Sequence, residues 1–122
     1  MFVLDVADLD RAAAFWSAAL RGTVVQQSYG VGIYLSVLVP TDAGEATLLM
    51  QKVPEVKTAK SRVHLDIATD DVDAEVARLE ALGARRQRAV DERGLHFAVL
   101  EDPDGNEFCV IPGQRHDDWP SW

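Results

Sequence analysis

The chain has 122 residues, 48% hydrophobic and 26% charged, the size and mix of one globular domain that can bury a core without staples. Twenty acidic residues against 12 basic ones give a formal charge of −8, which repels phosphate backbones and anionic membranes, so neither nucleic acid nor a membrane is an expected partner. The one cysteine, Cys109, excludes an internal disulfide; no apolar run approaches the ~20 residues of a membrane span and no signal-like start is visible, so a soluble, cytoplasmic protein is expected.

The apolar stretch 2–7 predicts a short strand. Asp8 then precedes LDRAAAFWSAAL, where Leu9, Ala13, Trp16 and Leu20 recur at helical spacing. The Asp8 carboxylate suits an N-cap, and Gly22 a helix stop. Trp16 falls on the core-facing side of that helix. Three strands are expected next, at 23–29, 31–39 and 45–53, broken by Gly30 and the stretch 40–44. Residues 54–61 (PEVKTAKS) are polar and aperiodic and read as a linker.

The pattern then restarts. Residues 62–68 read as a strand, and Asp70 or Asp71 caps a helix carrying Val72, Val76, Leu79 and Leu82, which Gly83 stops. Strands are expected at 84–90, 95–101 and 106–111, and a tail covers 112–122. Sliding the chain by 63 residues puts Asp8 on Asp71, Leu9 on Val72 and Met1 on His64. Two unrelated βα units would not repeat all five elements in order, so a duplication is the better reading. The expected fold class is α+β. Two βαβββ modules in tandem (1–53 and 62–111) form paired curved mixed sheets around a pocket, with the helices outside, as a single domain over 1–122.

Four segments carry a resemblance that spans nearly the whole chain: VADLDRAAAFWSAAL (6–20), LLMQKV (48–53), RVHLDIATDDVDAEVARLEALGA (62–84) and EDPDGNEFCVI (101–111). With them the chain resembles the vicinal oxygen chelate superfamily of glyoxalases, bleomycin-resistance proteins and extradiol dioxygenases, and within it the glyoxalase-like subgroup. The DPDGN turn has a direct physical reading. Pro103 fixes φ at one corner, Gly105 accepts positive φ, and Asp102 and Asn106 can bond their own backbone, so the turn sets the register of the last strand.

The resemblance implies four pocket-facing metal positions, which carry over to Met1, Gln51, His64 and Cys109. His64 matches the usual types and Gln51 is acceptable. Met1 and Cys109 depart from them, and a thiolate suits zinc rather than magnesium or manganese. The metal set is therefore at most His64, Gln51 and Cys109. A divalent metal is not the favoured cofactor, and the cofactor stays unknown. The bland alternatives are a buried apolar Cys109 and a His64 bonded to a neighbouring strand or to Asp66.

Strand alternation puts His64, Asp66 and Ala68 on one side and Leu65 and Ile67 on the helix side. The same parity turns Met1, Val3 and Asp5 toward the pocket, and Glu107 shares a face with Cys109 at an offset of roughly 6–7 Å. A histidine among carboxylates can act as a general acid or base, so His64 and Glu107 are the catalytic candidates, suited to proton abstraction beside a carbonyl. The expected ligand-binding residues are Asp5, Gln51, His64, Asp66, Cys109 and Trp119. His96 shares its strand face with Ala98 and Leu100 and either touches the pocket or faces away; His116 reads as solvated. Trp119 and Trp122 are expected to fold back over a sheet, or else to cover the pocket mouth or pack on a partner chain.

Two functions follow. The favoured one is binding and sequestration of a small organic molecule, a resistance-type role. The alternative is a superfamily enzyme, a lyase, isomerase or epimerase, or dioxygenase, using His64 with or without a divalent metal. A purely structural module leaves the polar pocket residues unexplained. The resemblance also implies a homodimer, with the pocket formed within one chain or across two.

Overall fold

The computed structural model describes residues 1–26, 30–92 and 95–113. The chain runs β1 (Phe2–Val6), α1 (Leu9–Ala19), β2 (Thr23–Val25), β3 (Tyr34–Thr41), β4 (Gly44–Lys52), β5 (Leu65–Thr69), α2 (Val72–Leu82), β6 (Arg85–Glu92), β7 (Leu95–Glu101) and β8 (Glu107–Pro112). The strands form two four-stranded mixed sheets, ordered β1-β4-β3-β2 and β5-β8-β7-β6. Each sheet pairs its first and last strands in parallel and the rest antiparallel. The α+β class and the tandem βαβββ modules are as the sequence predicts. Two compact units result: Met1–Thr58 with Pro103–Gly105, and Ala59–Asp102 with the described residues from Asn106 onward.

In the first unit the Asp8 carboxylate accepts the Arg11 N–H at 3.0 Å and starts α1. The helix buries Leu9, Ala12, Ala13, Phe15, Trp16 and Ala19, and Phe15 meets Trp16 edge-on at 5.1 Å. The helix stop differs from expectation. Arg21, not Gly22, takes the left-handed conformation, with φ 52°. Gly22 is required for a different reason: a Cβ there would lie 2.5 Å from the Leu38 carbonyl oxygen. Strand β3 begins at Tyr34 rather than near Val31, because Gly30 and Gly32 hold φ of 62° and 83° and the Tyr34 N–H bonds back to the Gly30 carbonyl at 2.9 Å.

The second unit repeats the plan. Of the two candidate caps, Asp71 is the N-cap, accepting the Ala74 N–H at 3.1 Å, and Gly83 ends α2 at φ 118°. Val72, Val76 and Leu79 are buried, but Leu82 is 38% exposed. Glu75 sits on the buried side instead, its carboxylate held by Arg78 one turn on. Strand β5 starts at Leu65, later than predicted: its ladder begins at Leu65 opposite Phe108, while Glu107, the first residue of β8, donates its N–H to Ser61 Oγ at 3.4 Å and accepts the Ser61 N–H on its carboxylate.

That turn does more than set register. Asp102, fully buried, accepts the Asn106 N–H at 2.8 Å and its side-chain amide at 3.2 Å, and Gly105 takes φ 84°. The tip belongs to the first unit: Asp104 Oδ1 accepts the Ala7 N–H at 3.0 Å and Arg11 Nη2 at 2.7 Å, at the entry to α1. Among the described residues no helix is long and apolar enough to cross a membrane.

Candidate functional site

The second sheet has a helix face and a helix-free face. Leu65, Phe108 and Leu100 lie in one row toward α2; the next row along, Asp66, Cys109, Val99 and Arg88, lies on the other side. His64 immediately precedes β5 and continues the parity of Asp66. The described residues there bring His64, Asp66 and Cys109 together, with one donor atom from each lying within 4.8 Å of the others. His64 Nε2 is 3.3 Å from Asp66 Oδ1, with both side chains about half exposed.

Cys109 is 8% exposed. Burial, and then the nearby Asp66 carboxylate, push its thiol up to about 11, against the partial opposition of Arg88 and Lys60. Without a metal it is therefore a protonated, unreactive thiol at neutral pH. Imidazole nitrogen, thiolate sulfur and carboxylate oxygen are the donor types that zinc takes, so the set fits a borderline-soft divalent ion and is a poor one for magnesium. His64, Asp66 and Cys109 would hold it, and it would supply Lewis-acid polarisation of a ligand oxygen.

Glu107 shares the parity of Cys109, yet its carboxylate is engaged elsewhere. Lys60 Nζ donates to it at 2.8 Å and the Ser61 N–H at 3.2 Å, which ties the end of the linker to β8. His96 faces the helix side, away from His64 and Cys109. Its Nδ1 lies 2.9 Å from Asp91 and its Nε2 3.0 Å from Asp73, the two carboxylates raising its pKa.

In the first sheet Asp5, Gln51 and Tyr34 form one row on the helix-free side. Under the repeat, Val3 opposite Leu49 stands where Asp66 stands opposite Cys109. By that register the counterpart of Cys109 is Leu49, a residue with no donor atom, and Gln51 corresponds to Ile111. Trp119, Trp122, His116 and Tyr29 lie outside the described residues.

The sequence reading passed over Arg88. Plain alternation puts Gln87 beside Val99 and turns Arg88 toward α2. The register shifts between Arg86 and Arg88, so that Arg88 pairs with Val99 and stays on the face of Cys109. No signal in the RRQR run marks the bulge.

The glyoxalase-like domain family matches residues 1–111. No curated protein matches. Solved structures do. TnmS3, an antibiotic binding protein from Streptomyces sp. CB03234, is 28% identical with a TM-score of 0.68, covering 93% of each chain. The fosfomycin resistance protein FosX from Listeria monocytogenes is 17% identical with a TM-score of 0.74, covering 97% of this chain and 94% of that one. A glyoxalase/bleomycin resistance protein/dioxygenase family enzyme from Burkholderia phytofirmans PsJN is 16% identical with a TM-score of 0.71, covering 92% and 95%.

Proposed function

The chain belongs to the glyoxalase-like domain family of the vicinal oxygen chelate superfamily, and from that premise we propose that it binds and sequesters a small organic molecule on the helix-free face of its second sheet, in a resistance-type role. One observation carries the reading. The face sets the polar group of His64, Asp66 and Cys109 beside the side chains of Val99 and Ile111, a mix suited to an organic ligand with a polar end. The likeness to TnmS3, which binds an antibiotic, and to FosX, which confers fosfomycin resistance, supports it.

The second reading, a metal-assisted lyase, isomerase or dioxygenase, rests on the closeness of the three donor atoms. The two readings separate in a melting experiment with a compound set, run with and without Zn²⁺, Mn²⁺ and Fe²⁺. A ligand at about 100 times its Kd adds about 2.7 kcal/mol of stability. Sequestration expects apolar compounds to raise the Tm without metal and without turnover. The enzyme reading expects near-stoichiometric metal after chelator-free purification, lost in His64→Ala and Cys109→Ser. Zinc must displace the thiol proton of Cys109, so its affinity should also rise with pH. No stabilisation by any compound, with or without metal, would sink both.

A further inference from the structure

The helix-free face of the second sheet is graded along the strands. At one end, next to the turn, Glu101 and Glu107 sit opposite each other and Arg85 pairs with Glu101. These charges satisfy one another: Arg85 Nη2 reaches Glu101 at 2.8 Å, Gln87 also donates to Glu101, and Lys60 holds Glu107. At the other end Ala68, Ile111, Phe97 and Val90 follow the same parity and make an apolar, partly exposed row. Between them runs the mixed row Asp66, Cys109, Val99, Arg88.

Within that mixed row the cation is the odd group. Arg85 and Arg86 are neutralised by Glu101 and Glu80, at 2.8 and 3.2 Å. Arg88 is exposed and has no carboxylate partner among the described residues. In a chain of net charge −8 an arginine on a mixed apolar face, with no carboxylate among the described residues to pair with, is not a solubility device. The bulge strengthens the case, because it is what keeps Arg88 on this side of the sheet. Arg88 is also close enough to act on the Cys109 thiol, although its strand lies two strand spacings, roughly 10 Å, away.

We infer that Arg88 anchors the acidic group of the ligand, so that the ligand is an amphipathic organic anion, a carboxylate on an aromatic or alkyl body. The guanidinium fork takes a carboxylate through two parallel N–H bonds. The body then lies over Val99 and the row of Ala68, Ile111, Phe97 and Val90. This rests on the binding reading above and names its ligand class.

The test uses a matched pair, 1-naphthoate and 1-naphthamide, which share the body and differ in the charge. Calorimetric titration of the full chain should give naphthoate at least tenfold the affinity of naphthamide, with the advantage shrinking as salt is added. Arg88→Gln should erase the advantage, bringing naphthoate down to about the affinity of naphthamide. Arg88→Lys should keep part of it, because the charge stays and the fork is lost. The unliganded Tm of each variant controls for folding. Equal affinities in the unmodified protein, or an advantage that survives in Arg88→Gln, overturn the inference and leave the binding reading standing. Binding of neither compound overturns the inference as well; if the wider compound set also gives no hit, the binding reading falls with it.

Discussion

His96 shows how much one side chain can join. Its two ring nitrogens each meet a carboxylate, Asp91 on the neighbouring strand and Asp73 in the first turn of α2. Both bonds are donated at once only by the imidazolium, which is why these partners raise its pKa above the ordinary 6.5. A raised folded-state pKa means that the folded chain holds the proton more tightly than the unfolded one. The stabilisation is fully present below the ordinary value and is lost as pH rises through the raised one. The Tm advantage of the unmodified protein over His96→Gln should therefore be larger at about pH 5.5 than at about pH 9. An advantage that is constant, or that grows toward alkaline pH, would show that the two carboxylates do not act through the proton. At this scale the sequence was readable where one residue acts on its neighbours. Asp8 and Asp71 cap because they directly precede helical spacing, and Gly105 turns because only glycine takes its φ cheaply. It was not readable for His96, whose two partners come from two other elements, β6 and α2.

Among the elements, the turn between β7 and β8 does two jobs. Asp102 and Asn106 close it, and Asp104 reaches the start of α1. The Asp104 side chain is 4% exposed while that of Arg11 is 50% exposed. The buried carboxylate therefore matters more than its exposed partner. Asp104→Ala leaves the Ala7 N–H without its acceptor and should cost about 1–3 kcal/mol in urea unfolding. Arg11→Ala removes only a half-exposed cation and should cost about 0–1 kcal/mol. Equal costs would mean that the ion pair, not the backbone bond, is the point of the contact. Strand ends and faces show the limit of sequence reading at this scale. Alternation placed His64 with Asp66 and Glu107 with Cys109, because period 2 is local. It did not fix where β5 begins, since that depends on where β8 can first pair, nor the side that Arg88 takes, since one extra residue at Gln87 reverses parity. The meeting of Cys109 with Asp66 needs a register between strands some forty positions apart in the sequence. The resemblance implied that Cys109 and His64 share a site, and alternation put Asp66 on the face of His64; nothing in composition or spacing gave the register that joins them.

For the whole molecule, the repeat was legible because both copies keep the order of cap, helix, glycine and three strands. The compact units are nevertheless not the two copies. The first takes in Pro103–Gly105, a piece of chain that lies between two strands of the second sheet. The hydrogen bond from Ala7 to Asp104 spans 97 residues, so forming the entry to α1 requires the chain to have placed the β7–β8 turn. That turn is held by β7 and β8 themselves, through the bonds between Asp102 and Asn106. Loss of the turn should thus remove an acceptor at the entry to α1 and loosen that end of the helix first. Native-state hydrogen exchange can read this. In Asp104→Ala the Ala7 amide and the amides of the first turn of α1 should exchange faster, while those of β4 near Met50, in a buried stretch of the same unit, keep their protection. Unchanged exchange at Ala7 in the variant would show that the bond to Asp104 is not what holds the helix entry.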